Sequence, residues 1–268
     1  MCPSLRYLKV TDFWFPELTV HSPTLEKLDL NYREGAGSDL ISLIDVSAPR
    51  LEEVSFDIKA DPDLSVSFSA PMVKEIFWHC KFEDEDTGEL PCIGLSSLIY
   101  SLRRGVRQLC LSIVYLDYLS EEADWTFEEE ISQLPLLSRL SVLELELEMK
   151  RHAFAPLVLH LLHEIPPAKE LNIELTQARK VGMQCPPDCP CDQSNNNWRN
   201  ENISLTHLEV VTLDGFEGHD DEVDFRKVLF RCATHLKKMT VEVSSEGYEK
   251  ICSNCEQYPD VKCLVYLA

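Results

Sequence analysis

Two stretches near the start of the chain read almost alike: SPTLEKLDL at residues 22–30 and APRLEEVSF at residues 48–56. In each, a small residue and a proline precede an apolar residue, and further apolar residues follow three and five positions later. Side chains alternate along a strand, so the second and third apolar positions point to the same face. A phrase repeated in this way predicts stacked units that close a shared apolar interior only together.

The same template of three apolar positions recurs along the whole chain. Its copies are Leu5/Leu8/Val10, Leu25/Leu28/Leu30, Leu51/Val54/Phe56, Val73/Ile76/Trp78, Val106/Leu109/Leu111, Leu140/Leu143/Leu145, Leu208/Val211/Leu213, Leu236/Met239/Val241 and, more weakly, Ala168/Leu171/Ile173. A proline, whose fixed φ sets the entry into a strand, stands two residues before the first apolar position at Pro3, Pro23, Pro49 and Pro71. The copies lie roughly 20 to 40 residues apart, a range typical of stacked units.

This template resembles the LxxLxL pattern of leucine-rich repeats. The resemblance implies an α/β fold, an irregular leucine-rich-repeat solenoid with parallel strands on the concave face and helices and loops on the convex face. The asparagine of regular repeats is present at Asn31, but the same place is taken by Asp57, His79, Ser112 and Glu146 in other copies. The alternative is an unrelated α/β sheet in which strands and helices alternate.

Apolar stripes at helical spacing occur in the longer spacers between template copies. They are Leu95/Leu98/Ile99/Leu102, Phe127/Ile131/Leu134, Phe154/Val158/Leu161/Leu162/Ile165 and Phe225/Leu229/Cys232. The last of these helices is expected to start after the polar run His219-Asp220-Asp221, whose side chains can cap free N–H groups. The shorter spacers are expected to contain hardly any helix.

Acidic residues outnumber basic ones, 46 against 25, which gives a formal net charge of −21. Such a charge repels phosphate backbones and anionic lipid head groups, so we expect neither nucleic acid nor membrane partners. The opening residues MCPSLRYLKV lack the uninterrupted apolar segment of a secretory signal, and no apolar run approaches the ~20 residues of a membrane span. We therefore expect an intracellular protein, cytoplasmic, nuclear or both.

Residues 181–203 interrupt the template with a segment rich in cysteine and asparagine, which we interpret as an insertion loop. Its Cys185, Cys189 and Cys191 are soft ligands of the kind zinc prefers, but their spacing is unusual and no fourth ligand lies nearby in sequence. A structural zinc site and a loop of free or redox-labile thiols both stay open. Cys252 and Cys255 form a CxxC pair, the pattern of thioredoxin-like redox sites. The odd total of 11 cysteines favours reduced thiols.

Sequence signatures of the common catalytic classes are absent. The chain has no GxSxG elbow, no phosphate-binding glycine loop and no HExxH zinc motif. His160, His163 and Glu164 share a helical segment with leucines, which is typical of the edge of a packed helix. We therefore expect a protein that is not an enzyme and has no cofactor.

The stretch ISLTHLEVVTLDGFEGHDDEVDFRKVLFRCATHLKKMTVEVS at residues 203–244 resembles the FBD region of plant F-box/LRR proteins. The resemblance rests on an LxxVxL strand, a Phe-x-Gly turn at Phe216 and Gly218, and an acidic helix start. A strand of the form CAxxLKxM follows, with Cys232, Ala233, Leu236, Lys237 and Met239. The resemblance divides the chain into leucine-rich repeats at 1–180, the insertion loop at 181–203, and FBD-like repeats with a cap at 204–268.

In that family an F-box docks on a Skp-type adaptor of a cullin ubiquitin ligase, and the repeats present the substrate. The resemblance therefore implies a non-catalytic module for protein recognition. This chain opens directly in a repeat at Cys2-Pro3-Ser4-Leu5, so we expect no F-box and no bound Skp-type adaptor. The alternatives are a decoy or adaptor that works independently of ubiquitylation, and a zinc or redox protein that uses the clustered cysteines.

Strand positions four and six residues after each template start are expected to face solvent, opposite the apolar interior. The candidate partner contacts among them are Asp29, Asp57, Phe77, His79, Glu144, Glu146, Glu174, Asp214 and Glu242. Their excess of carboxylates predicts a protein partner with a basic segment, while Phe77, beside Trp78, is a candidate apolar anchor. The alternative is that these carboxylates only keep the fold soluble.

Overall fold

The computed structural model describes residues 4–11, 15–31, 41–58, 60–81, 105–115, 139–149, 154–165, 167–177, 198–200 and 202–268. It is an α/β structure of mostly parallel strands with few helices. The chain divides into two compact units, residues 1–113 with 118–140, and residues 114–117 with 141–268. Within the described ranges, no helix combines the length and the apolar character needed to cross a membrane.

The first seven described strands of the first unit alternate between two sheets as the chain proceeds. In chain order they are β1 (Tyr7–Thr11), β2 (Glu17–His21), β3 (Lys27–Asn31), β4 (Ile41–Ser47), β5 (Glu53–Asp57), β6 (Ala60–Ser69), β7 (Glu75–Lys81) and β8 (Gln108–Tyr115). One sheet has parallel strands in the order β1-β3-β5-β7, with β8 beside β7. The other is the parallel sheet β2-β4-β6.

The second sheet of this unit is a feature that the sequence analysis missed. Helices and loops were expected to return the chain between template copies, but the short spacers are strands. Phe68 of β6 packs edge-on against Phe56 of β5, with ring centroids 5.9 Å apart, so the two sheets share an apolar interior. The helical stripes predicted at 95–102 and 127–134 lie outside the described residues.

Two prolines of the template, Pro49 and Pro71, lie in tight turns that lead into the next strand. Residues 48–51, which include Pro49, close with a hydrogen bond of 3.0 Å from the last amide to the first carbonyl. Residues 70–73, which include Pro71, close in the same way at 3.3 Å. Proline is favoured at the second position of such a turn because its φ is already fixed. At Pro49 and Pro71 the proline thus stands in the turn that leads into the next strand, as the template predicts.

One backbone hydrogen-bonding pattern repeats from copy to copy. The carbonyl of the residue after the first template position accepts hydrogen bonds from two successive amides of the next copy. Arg6, for example, accepts from the amides of Glu26 and Lys27 at 2.7 and 3.0 Å. The same pattern recurs at the carbonyls of Glu26, Glu52, Lys74, Ser141, Lys169 and Glu209. Because the bonds are equivalent, each strand enters its sheet at the same register as the one before it.

The predicted apolar interior of the template is confirmed within each unit. All three template positions are buried in every copy except the first. In the first unit Leu28, Val54 and Ile76 are neighbours across β3, β5 and β7. Stacking of this kind keeps apolar side chains in contact with their equivalents on the next strand, and that burial is the main source of stability.

The second unit contains strands that follow one another in sequence, with helices between several of them. Its elements are β9 (Val142–Met149), α1 (Phe154–Glu164), β10 (Glu170–Gln177), a 3₁₀ turn (Trp198–Asn200), β11 (Val210–Phe216), α2 (Asp220–Cys232), β12 (Lys238–Val243), α3 (Tyr248–Cys255) and β13 (Lys262–Leu267). Strands β9 to β13 pair in parallel in chain order. Helices α1 and α2 confirm the helices predicted from the apolar stripes at 154–165 and 225–232.

Aromatic side chains hold the helices of this unit against the sheet. Phe154 of α1 packs edge-on against Phe216 at the end of β11 and against Phe225 of α2, at 5.6 and 5.0 Å between ring centroids. These three rings are among the buried residues. They fix α1 and α2 on the same side of the strands. The strand side chains that do not point toward these helices therefore lie on the opposite face of the sheet.

Helix α2 starts at Asp220, inside the polar run that was expected to precede it. His219 of that run is the N-cap residue of α2. A capping box joins it to the side chain of Glu222, which sequence reasoning did not single out. Its Oε2 accepts hydrogen bonds from the amides of Glu217, Gly218 and His219 at 3.0, 2.6 and 3.1 Å. Gly218 has a φ of 85° and its Cα lies against the backbone of Gly247, so a Cβ would collide there.

Candidate interaction surface

The in-register strands of the second unit place equivalent side chains in rows on the face opposite the helices. Glu144, Asn172, Thr212 and Thr240 form one row across β9 to β12. Two residues further along, Glu146 pairs with Glu174, and Glu174 pairs with Asp214. The register of β11 and β12 shifts after the pair Leu213 and Val241, but Glu242, the next residue of β12, is close enough for its charge to raise the pKa of Asp214. We call Glu146, Glu174, Asp214 and Glu242 the carboxylate row.

The carboxylate row is electrostatically unfavourable in the isolated protein. Neighbouring strands of a sheet lie about 4.8 Å apart, so successive carboxylates of the row are close, and like charges facing each other across strands are destabilising. Burial raises the pKa of Asp214, and the charges of Glu242 and Glu174 raise it further. Within the described residues, none of the four carboxylates has a hydrogen bond or an ion pair to a side chain that would offset the repulsion.

Neutralising one member of the carboxylate row is expected to stabilise the protein. We expect Asp214→Asn to raise the free energy of unfolding at neutral pH by about 0.5 kcal/mol, the scale of one cross-strand charge pair that is partly screened by solvent. Because the folded state raises the pKa of Asp214, the repulsion is absent below the unfolded pKa and grows as the pH rises through the folded pKa. The advantage of the variant should therefore vanish in acid.

Urea denaturation of both proteins between about pH 3 and pH 7 measures this difference. Asp260→Asn is the matched control, since Asp260 is an exposed carboxylate in the turn before β13. A destabilised Asp214→Asn protein at neutral pH, or an advantage that did not depend on pH, would contradict the repulsion within the row.

Strand β13 adds an exposed aromatic residue to the end of the row. Tyr266 pairs with Glu242 and is 52% exposed, among the most exposed large apolar side chains that the structure describes. The sequence analysis missed this residue because the template position before β13 is the polar Asp260 and not an apolar residue. The alternation of Cys263 and Val265, which pair with Met239 and Val241, is the signal that could have revealed the strand. An exposed tyrosine beside carboxylates suits a cationic side chain, which both groups attract.

Glu144 differs from the other predicted glutamates of this face. Its Oε1 accepts a hydrogen bond of 3.4 Å from the amide of Asn172, which also reaches Glu170 at the same distance. The row that contains Glu144 is otherwise neutral, with threonines on β11 and β12. Glu144 is therefore a flanking residue, and the structure does not place it in the carboxylate row.

The exposed face of the first unit carries charges that are largely paired with each other. Asp29 forms an ion pair with Lys9 at 2.9 Å and accepts a hydrogen bond from the Tyr7 hydroxyl at 3.2 Å. Lys27 and Glu53 form a second cross-strand ion pair at 2.6 Å. The sequence analysis treated Asp29 as an available partner contact, but in the structure its charge is already balanced by a neighbouring strand.

The remaining predicted contacts of the first unit lie near β7. Asp57 pairs with His79 in the strand register, and Phe77 pairs with Ser55. Phe77 is half-buried, as the proposed anchor position requires. Trp78 is instead 1% exposed and packs edge-on against Phe56 at 5.5 Å, so it belongs to the interior and contributes no exposed anchor surface.

The candidate metal-ligating residues fall into two groups. Cys185, Cys189 and Cys191 lie outside the described residues, as does most of the predicted insertion loop. His160, His163 and Glu164 lie on α1 as predicted, with His163 exposed. In the described ranges, no three His, Cys, Asp or Glu side chains come together in a way that could hold a metal ion.

The FBD family model matches residues 204–241 of the chain. These residues comprise β11, the turn that Glu222 closes, α2 and most of β12, which is one complete strand-helix-strand segment. No curated protein and no solved structure matches the chain. The match supports an F-box/FBD-type protein and is consistent with a role in protein interaction.

Proposed function

We propose that this chain is a non-catalytic protein-recognition module, similar to the substrate-binding part of an F-box/LRR subunit of a cullin-type ubiquitin ligase. Its strands are the rungs of an irregular leucine-rich-repeat solenoid, and the exposed strand face of the second unit binds the partner. The observation that carries this proposal is the carboxylate row, which extends from β9 and β10 onto β11 and β12, the two strands of the FBD segment.

The interpretation as repeats is supported by backbone hydrogen bonds that are the same in successive copies of the template. Each unit contains the same pair of hydrogen bonds at the entry of successive template strands, and every template copy after the first buries the same three positions. A chain whose strands repeat in this way presents a regular array of exposed side chains, because the spacing between strands is constant. Repeat proteins use such arrays as extended binding surfaces.

The recognition interpretation is supported by the unfavourable electrostatics of the carboxylate row. A row of unpaired carboxylates destabilises the free protein, so a purely structural role gives no reason for its arrangement. Solubility requires only dispersed surface charge, and the chain already has a net charge of −21. A bound cation removes the repulsion and gains attraction from several carboxylates at once. The relief of repulsion between the carboxylates therefore adds to the free energy of binding a cationic partner.

The geometry of the row favours a partner segment rich in lysine or arginine. The strands that carry adjacent members of the row are about 4.8 Å apart, while same-side residues of an extended peptide are about 6.7 Å apart. The long, flexible side chains of lysine and arginine accommodate that difference, and arginine can engage two oxygens. Tyr266 at the end of the row provides an apolar contact for the stem of such a side chain.

A decoy or adaptor function that is independent of ubiquitylation remains the second candidate. It uses the same surface and the same partner, and differs only in whether a Skp-type adaptor is bound. The described residues favour neither candidate, because the surface that carries the proposal lies on the strands and would be common to both.

Affinity capture with the whole chain as bait tests the proposed function. We expect a protein with a basic segment to co-purify with the wild-type chain and to be lost by the variant Glu146→Gln/Glu174→Gln/Asp214→Asn. The matched control Glu249→Gln/Glu256→Gln/Asp260→Asn removes the same number of charges from exposed positions on α3 and the turn that follows it, and should retain the partner. Co-purification of a Skp-type adaptor separates the ligase interpretation from the decoy.

Equal loss of the partner by both variants would show that only net charge matters. Retention by both would remove the carboxylate row from the binding surface. In either case the proposal for this surface fails, whatever adaptor is found.

A further inference from the structure

A buried arginine lies behind the sheet of the second unit. Arg226 of α2 is 0% exposed. Its Nη2 donates a hydrogen bond to the Sγ of Cys255 at 2.9 Å, and its Nη1 donates to the carbonyl oxygen of Ile251 at 3.4 Å. Its Nε points to the Sδ of Met239 at 3.5 Å. The guanidinium is therefore enclosed by α3 and β12, with a thiol as its closest partner.

This arginine needs a counter-charge. A guanidinium stays protonated in proteins, and burial of an unpaired charge costs several kcal/mol. Among the described residues, no carboxylate lies within ion-pair distance of Arg226. Among the described groups to which Arg226 donates hydrogen bonds, the Cys255 thiol can become an anion, so Cys255 in its thiolate form would balance the charge.

A second cysteine completes the arrangement from the last strand. Cys263 of β13 pairs in register with Met239, so both side chains point to the face on which Arg226 lies. The Cys263 thiol donates a hydrogen bond to Cys255, which lowers the pKa of Cys255, and the positive charge of Arg226 lowers it further, to about 6. The same contact raises the pKa of Cys263, which stays a thiol.

The other cysteine of the CxxC pair has a different neighbour. Cys252 lies one turn earlier on α3 and forms its side-chain hydrogen bond with the Tyr248 hydroxyl. The CxxC motif suggests that Cys255 pairs with Cys252. In the structure its thiol partner is instead Cys263, eight residues later. Cys255 and Cys263 are both partly exposed, so small reagents can reach them.

We propose that Cys255 and Cys263 form an oxidation-sensitive pair, in which the Cys255 thiolate held by Arg226 reacts with a peroxide and Cys263 then closes a disulfide. In the first step the Cys255 sulfur attacks one oxygen of hydrogen peroxide, the O–O bond breaks, and a sulfenic acid and hydroxide form. In the second step Cys263 loses its proton and attacks that sulfur, which releases water. Two thiols and one peroxide thus give one disulfide and two waters.

The site is separate from the carboxylate row, since Arg226 and Cys263 lie on the helix side of the strands. Disulfide formation ties the end of α3 to β13, and it removes the anion that balances Arg226. The oxidised protein therefore keeps a buried guanidinium with neutral neighbours. We expect that cost to make the disulfide easy to reduce.

Alkylation of the whole chain by iodoacetamide, followed residue by residue by mass spectrometry, tests the thiolate. We expect the pH midpoint of labelling to lie near 6 for Cys255. Cys263→Ala and Arg226→Met should each raise the midpoint of Cys255, and Arg226→Lys should restore part of the shift. If Arg226→Met fails to fold, Cys263→Ala alone tests the same cause. A labelling midpoint for Cys255 at about 8.5, the value of an unperturbed thiol, would overturn the proposal.

Mass spectrometry of tryptic peptides after mild hydrogen peroxide treatment tests the pairing. Trypsin places Cys252 and Cys255 together in ICSNCEQYPDVK and Cys263 alone in CLVYLA. We expect a disulfide between these two peptides, which Cys252→Ser leaves in place and Cys255→Ser abolishes. A disulfide inside ICSNCEQYPDVK, or no disulfide at concentrations that oxidise Cys255, would contradict the pairing with Cys263.

Discussion

Replacing Glu222 by alanine is expected to lower the free energy of unfolding by about 3 kcal/mol. Glu222 is 5% exposed, and its side chain accepts hydrogen bonds from the three successive amides that immediately precede α2. Alanine leaves these donors without an acceptor in a site that excludes most water, and each unsatisfied buried donor costs about 1–3 kcal/mol before the site relaxes. Urea denaturation followed by circular dichroism measures the loss.

Two further variants identify the cause of the Glu222 effect. Glu222→Gln keeps an acceptor oxygen at the same distance from the backbone and should lose less than half as much stability as the alanine variant. Glu249→Ala removes an exposed glutamate from the first turn of α3 and should change stability by no more than about 0.5 kcal/mol. A Glu222→Ala protein as stable as Glu249→Ala would show that these backbone amides find other acceptors.

The substitution Leu213→Ala is expected to destabilise the second unit by about 3 kcal/mol. Leu213 is 0% exposed and lies between Ile173 of β10 and Val241 of β12 in the strand register. Deletion of a buried leucine side chain loses its transfer free energy and leaves a cavity that rigid neighbouring strands cannot fill. Urea denaturation measures this loss as well.

Thr212→Ala is the matched control on the same strand, because Thr212 lies on the opposite face and is only half-buried. We expect that variant to lose less than about 1 kcal/mol. Equal losses at Leu213 and Thr212 would mean that the template positions do not line a single interior in this unit.

The parallel strands were predictable from the sequence because their pattern is local. Positions such as Leu28 and Val54 recur at fixed offsets from a proline turn, and both side-chain alternation and turn geometry depend only on nearby residues. The strands β2, β4 and β6 were missed for a related reason. Segments such as ELTVH are short and weakly apolar, and they become strands by pairing with equivalent segments of neighbouring copies.

The predicted contact residues fall into two groups: those that lie together in the carboxylate row, and those, such as Asp29, that are paired with neighbouring strands. Glu146, Glu174, Asp214 and Glu242 were predicted and lie together, since strand register follows from the template. The pairing of Asp29 with Lys9 depends on the side-chain positions of adjacent strands, which the template does not determine.

The thiol pair could not be predicted from spacing. A CxxC motif directs attention to Cys252 and Cys255, whereas the structure brings Cys263 to Cys255 through the pairing of β12 with β13. The role of Arg226 depends on its burial, and the sequence around it reads as an ordinary amphipathic helix. Both features arise from tertiary packing of α2, α3 and β13.

The salt dependence of partner affinity tests the account most directly. The measurement uses the captured partner's basic segment as a labelled peptide and compares the wild-type chain with Glu146→Gln/Glu174→Gln/Asp214→Asn. We expect wild-type affinity to fall at least about tenfold between about 50 mM and 500 mM salt, and the variant to bind weakly with little salt dependence. An unchanged affinity of the variant, or a wild-type affinity that does not respond to salt, would contradict the assignment of the carboxylate row as the binding surface.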